Sequence, residues 1–143
     1  LPTESEWEYA CRAGTLTEFS FGNNYAQLGK YASFEPKDRD TMQPVGIRLP
    51  NAFGLFDMHG SVWEWCDDTF GIDNARSPSP NVLRMPGTDV TRVARGGAVC
   101  RPPAPFDCRS ASRTGLAANA RSDSHGFRIV SVIDMHDGSK AAD

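Results

Sequence analysis

The chain has 143 residues, enough to bury one hydrophobic core. Apolar residues make up 39% and charged residues 23% of it, and no apolar run is long enough to cross a bilayer. The net charge of −3 gives no general attraction to nucleic acid or anionic lipid, so neither a nucleic-acid partner nor membrane insertion is expected.

With 13 glycines and 10 prolines, the chain predicts a loop-rich α+β domain with few helices and short strands, not a helical bundle. It opens on Leu1, without Met and without a signal peptide, so the native start is expected to be missing and targeting names no compartment. The clearest helix covers residues 1–12. Thr3 and Glu6 form a capping box at its start, and Gly14 is placed to stop it. Three early acids, Glu4, Glu6 and Glu8, suit the positive end of the helix dipole, and Trp7, Ala10 and Cys11 share one face.

Residues 19–46 read as irregular, with a turn at 22–24, at most one helical turn at 25–28 and a solvated charged loop at 37–40. Residues 50–55 form a compact turn expected to be packed by its aromatic, Phe53. Val62-Trp63-Glu64-Trp65 alternates like a strand, 70–86 reads as a long polar loop, and 91–98 and 126–132 are the other predicted strands. The last ten residues, 134–143, form a polar tail. Cys11, Cys66, Cys100 and Cys108 make no C-x-x-C pair and no zinc spacing with His59, His125 or His136, which favours buried thiols.

Three linked motifs carry a family resemblance. Leu1-Pro2-Thr3-Glu4-Ser5-Glu6-Trp7-Glu8-Tyr9-Ala10 resembles the L-P-T-E-x-E-W-E-Y-A segment of the formylglycine-generating enzyme (sulfatase-modifying factor) family. Residues 50–66, ending Gly60-Ser61-Val62-Trp63-Glu64-Trp65-Cys66, resemble its P-N-x-x-G-L-x-D-M-x-G-N-V-W-E-W-C. Arg95-Gly96-Gly97, Cys108-Arg109-Ser110-Ala111, Arg113, Arg121 and Gly126-Phe127-Arg128 resemble its R-G-G-S-W, C-R-S-A-x-R, R and G-F-R.

The resemblance implies a C-type-lectin-like fold. Residues 1–133 are expected to be the C-terminal portion of one such domain, whose family pattern has further strands before L-P-T-E. It also implies a structural calcium site. Asp57 and Glu64 supply carboxylates, and Gly60 and Val62 supply carbonyls, the hard oxygen donors that calcium takes. Ser61 stands where the family has Asn. By themselves, two acids seven apart are more often solvated carboxylates. The resemblance reads Arg95, Arg109, Arg113, Arg121 and Arg128 as a structural framework. It matches Trp63 to a pocket-lining tryptophan of the enzyme, while their place on an alternating strand favours packing for Trp63 and Trp65.

The family's chemistry oxidises a client cysteine with copper held by two thiolates. Cys100 lies near the first thiolate position, but the second falls on Pro105, which has no ligand atom, so copper is not expected. A rearranged Cys100–Cys108 pair is the alternative that would keep an oxidase, although Cys108 reads better as a core thiol. Ala98 also replaces the serine of the enzyme's pocket.

Between Pro86 and Asp134 there is no Lys, Glu, Gln, Met or Trp, five types that make up roughly a fifth of ordinary proteins. That gap resembles the variable proteins of diversity-generating retroelements, a lectin-like branch of the same family. Adenine-directed mutagenesis of A-A-pyrimidine codons excludes those five types. The resemblance implies a rigid scaffold displaying Val99, Arg101, Phe106, Asp107, Ser112, Thr114, Leu116, Asn119 and His125 to a protein ligand, and a bacterial or phage surface as its location. The expectation is a non-catalytic ligand-binding module. The alternatives are a copper-dependent oxidase and an accessory domain of a larger enzyme.

Overall fold

The structure, a computed structural model, describes residues 1–34, 43–71, 91–99 and 104–131. Helix α1 (Glu4–Arg12) starts where the capping box predicts: the Glu6 amide donates to Thr3 Oγ1 at 3.3 Å, and the Thr3 amide donates to Glu6 Oε2 at 2.7 Å. The helix stops one residue earlier than Gly14 suggests, on a left-handed Ala13 (φ 47°). Its buried face carries Trp7 and Cys11 with Ala10 beside them, as the periodicity requires.

After a short 3-10 helix (Tyr25–Gln27) comes a single turn of α-helix, α2 (Leu28–Tyr31), more helix than the sequence predicts. Leu28 is fully buried with Phe19, Ala32 and Cys108 in a second core cluster, and that burial holds a segment of modest intrinsic propensity.

The sheet has four strands in the order β3-β2-β1-β4. Strand β1 (Trp63–Thr69) pairs antiparallel with β2 (Thr91–Arg95), β2 pairs antiparallel with β3 (Arg113–Ala117), and β4 (His125–Gly126) pairs parallel with β1. Several sequence expectations change here. β1 continues past Trp65 to Thr69 across a bulge, and β2 ends at Arg95 because Gly96 and Gly97 take positive φ. β4 spans two residues in place of the predicted 126–132 strand, and Phe127, Ile129 and Val130 run on exposed. β3 was not predicted at all. The turn at 50–55 is held by Asn51, whose Oδ1 accepts from the Phe53 and Leu55 amides and whose Nδ2 donates to the Ala10 carbonyl, while Phe53 stays half exposed. The tail at 134–143 and most of the 70–86 loop lie outside the described residues.

Helix α1 lies across one face of the sheet. Its first amide, from Glu4, donates to Asp68 of β1 at 2.5 Å, and Trp7, Cys11, Met58, Cys66 and Val93 form the main core cluster between helix and sheet. Among the described residues no helix is long and apolar enough to cross a membrane.

Candidate functional site

Strand pairing sorts side chains by face, because partners across a ladder point the same way and neighbours along a strand alternate. Glu64, Cys66, Val93, Arg95, Arg113 and Gly115 share the face under α1. The opposite face reads, from edge to edge, His125 on β4, Trp63 and Trp65 on β1, Arg92 and Ala94 on β2, and Thr114 and Leu116 on β3. Trp65 meets the His125 ring edge-on, with centroids 5.8 Å apart. Both tryptophans, Thr114, Leu116 and His125 are half-buried. His125 Nδ1 is buried and has no hydrogen-bond partner among the described residues.

Of the predicted ligand residues, Thr114 and Leu116 lie on this face at the β3 edge and His125 lies on it at the opposite, β4 edge. Val99, Phe106, Asp107 and Ser112 gather at its upper end, where β1, β3 and β4 begin and β2 finishes. Val99 is placed by its amide donating to the Ser61 carbonyl at 3.1 Å. Phe106 and Asp107 are exposed on a 3-10 helix (Pro105–Cys108) whose backbone packs directly on Gly97. Asn119 is exposed but follows β3 at the opposite end, away from the others. Arg101 and Cys100 lie outside the described residues. Trp63 and Trp65, expected as packing, and Arg92 also belong to this face. The alternation at 62–65 was the available signal, but only strand pairing shows which neighbours it meets.

Beneath the sheet the arginines form a framework. Arg95 is fully buried, pairs with Glu8 and Glu4, donates to the Ser112 carbonyl at 2.6 Å and stacks over Trp7 at 5.4 Å. Arg113 pairs with Glu4 at 2.8 Å. Arg109 reaches Glu18 only at 3.9 Å and lies over the Phe106 ring at 5.3 Å. Arg121 is exposed and makes no ion pair among the described residues, so it stands outside the framework assigned to it.

Arg128 completes the network. Its Nε donates to Glu64 Oε2 at 2.5 Å and its Nη2 to Oε1 at 2.6 Å, while Trp7 Nε1 donates to the same Oε2 at 2.6 Å. Burial opposes the guanidinium's charge, but the hydrogen bonds and charge of Glu64 outweigh it and raise the Arg128 pKa. Asp57, at φ 58°, accepts from the Gly46 amide at 2.7 Å. Both carboxylates of the expected calcium set are thus engaged by the protein. Among the described residues no three His, Cys, Asp or Glu side chains gather into a metal-holding group.

Cys11 and Cys66 are buried free thiols, and Cys108 is buried as well. Burial pushes the Cys11 and Cys66 thiols up to about 12, which removes the thiolate that reactivity requires. Cys108 is fully enclosed in the second core cluster. Cys11 Sγ lies 3.8 Å from His59 Nδ1, but His59 is committed elsewhere. Nδ1 is 2.8 Å from the Cys108 carbonyl and Nε2 accepts from the Ser20 amide at 3.1 Å, which fixes a neutral imidazole with the proton on Nδ1.

The family model described as "Sulfatase-modifying factor enzyme 1-like domain" matches residues 1–133. A formylglycine-generating enzyme from Streptomyces coelicolor is 32% identical over 155 residues, covering 99% of this chain and 49% of that protein. The serine/threonine-protein kinase pkn1 of Chlamydia pneumoniae is 34% identical over 137 residues, covering 94% of this chain and 21% of the kinase. Among solved structures, Treponema denticola variable protein 1 superposes with a TM-score of 0.73 at 33% identity, covering 89% of this chain and 45% of that one. The chain thus spans about half the length of the Streptomyces enzyme and of the Treponema protein. The fold is the formylglycine-generating-enzyme type of C-type-lectin-like fold, as the motifs imply.

Proposed function

This chain belongs to the sulfatase-modifying factor enzyme 1-like family, and we propose that it serves there as a non-catalytic module binding a protein ligand on its outer sheet face. The observation that carries this reading is the division of labour across one sheet. The face under α1 is locked by Trp7, Arg95 and Arg113, and the other face carries His125 beside Trp65 at one edge and Thr114 and Leu116 at the other. Thr114, Leu116 and His125 all come from the stretch between Pro86 and Asp134, whose restricted composition suits diversification.

Tryptophans presented at half burial are the kind of anchor on which protein interfaces concentrate binding energy. Val99, Phe106, Asp107 and Ser112 extend the surface at its upper end. Likeness to a protein named a variable protein supports the same reading. A second reading, an accessory domain in a larger protein, draws on the Chlamydia kinase, of which the matching region is a minor part. The same face would serve it.

The test has two arms. A library randomised at Thr114, Leu116 and His125, with all arginines and tryptophans kept, is expected to fold in most members, with unfolding free energies within about 1 kcal/mol of the parent. The copper-loaded chain is expected to leave the cysteine of a C-x-P-x-R peptide unchanged by mass. Collapse of most of the library, or conversion of that cysteine to an aldehyde with turnover, overturns the proposal.

A further inference from the structure

We propose that Arg128 is the resident cation of the turn at residues 57–64, and that the domain builds this turn and the sheet above it without calcium.

Calcium takes roughly six to eight oxygens, at least some of them carboxylate. A carboxylate offers about four lone-pair positions, and three of the Glu64 positions are filled, two by Arg128 and one by Trp7 Nε1. The arrangement is the two-point fork in which guanidinium and carboxylate match in shape as well as charge. An ion at Glu64 would have to take the one remaining position on Oε1, beside a like-signed guanidinium, or displace it.

The backbone amides of the turn are held by the protein's own carbonyls. The Gly60 amide donates to the Gly96 carbonyl at 2.6 Å, and the Ser61 amide donates to the Ser33 carbonyl at 2.6 Å. The Val62 carbonyl lies 3.7 Å from where a side-chain carbon on Gly96 would stand. Ser61, at φ 68°, occupies the position where the family pattern carries an asparagine, so no side-chain amide oxygen is offered there.

What a metal would do at this place is tie separate segments to one point, and Arg128 does so. Through Glu64 it joins β1 to Trp7 of α1, and its Nη2 also donates to the Phe56 carbonyl at 3.3 Å. The guanidinium follows β4 directly, so the same bond anchors the segment that presents His125.

Thermal unfolding of the chain decides the matter. In about 1 mM calcium, enough to fill a weak extracellular-type site, the midpoint is expected to stay within about 1 °C of its value in EDTA. Arg128→Gln is expected to lower the midpoint by about 10 °C or to abolish folding, since it strands a buried carboxylate. Arg128→Lys, which donates from a single nitrogen, is expected to recover little of that loss.

A rise of several degrees with calcium that disappears in Asp57→Asn overturns the proposal. Asparagine tolerates the left-handed backbone at residue 57, so that variant keeps the fold. A calcium-induced rise that survives Asp57→Asn and Glu64→Gln places an ion elsewhere and leaves Arg128 in its role. An unchanged midpoint in Arg128→Gln also overturns it.

Discussion

His59 shows how a single buried residue can make stability depend on acid. It bridges two loops, accepting from the Ser20 amide and donating to the carbonyl of Cys108. The Phe19 and Phe21 rings stand edge-on to it. Burial lowers its pKa from 6.5 to about 4, against a smaller raising effect of the Cys108 carbonyl. The unfolded chain therefore takes up a proton below about pH 6.5 that the folded chain refuses until about pH 4. The stability that this neutral imidazole confers is complete above pH 6.5 and drains away as pH falls towards 4. The total loss is roughly 3 kcal/mol. Urea unfolding at pH 7, 5.5 and 4 is expected to show this decline, and a His59→Asn variant, weaker at pH 7, is expected to show much less of it. An isolated histidine among four cysteines could be a ligand on paper. Nothing in sequence separation announces that Cys11 and His59 meet, and only burial explains why their meeting is inert.

At the scale of elements, the instructive cases are β3 and the 3-10 helix beside it. β3 reads Arg-Thr-Gly-Leu-Ala, with no clear alternation and a glycine at its centre, so propensity argues against a strand. The strand exists because β2 supplies an unbroken antiparallel partner from Thr91 to Arg95. Its glycine is needed because the Phe70 ring and the Thr91 methyl lie 2.6–2.7 Å from where a side-chain carbon would stand. Conversely, Phe127, Ile129 and Val130 look like a strand and remain outside one, because β4 finds a partner in β1 at only two positions. The 3-10 helix carrying Phe106 and Asp107 rests on Gly97 (φ +75°), where a side-chain carbon would sit 2.9 Å from the Asp107 backbone. Gly97→Ala is accordingly expected to destabilise the domain by roughly 2–4 kcal/mol in denaturant unfolding, from the left-handed backbone and the clash together. An effect below about 0.5 kcal/mol would mean that the two segments are not in contact.

Across the whole molecule, the ion network under the sheet makes one rigid unit of segments far apart in sequence. Arg95 alone joins β2 to Glu4 and Glu8 of α1, to the carbonyl before β3, and to the Trp7 ring. Its removal empties a fully buried position and takes one of two arginine partners from Glu4 and from Glu8, which keep Arg113 and Arg12, so Arg95→Ala is expected to cost roughly 2–5 kcal/mol in urea unfolding. A loss under 1 kcal/mol would show that the network is peripheral. This rigidity is also what makes the outer face usable. With stability vested in one side of the sheet, side chains on the other side can change at little cost to folding.

Much of this was legible from residues alone. The capping box, the Trp7–Cys11 stripe and the alternating tryptophans are local patterns, set by backbone geometry within a few residues, and the linked motifs carried the family and fold. The restricted composition marked out the segment that supplies the displayed residues. Tertiary structure alone decided which of them meet, because faces and ends are properties of strand pairing. It placed Thr114, Leu116 and His125 on one face with Trp63 and Trp65, His125 against Trp65 and the other two at the far edge strand, and sent Asn119 to the opposite end. It also decided the partner of Glu64. Sequence separation does not announce that the Glu64 carboxylate meets the guanidinium of Arg128, 64 residues along the chain.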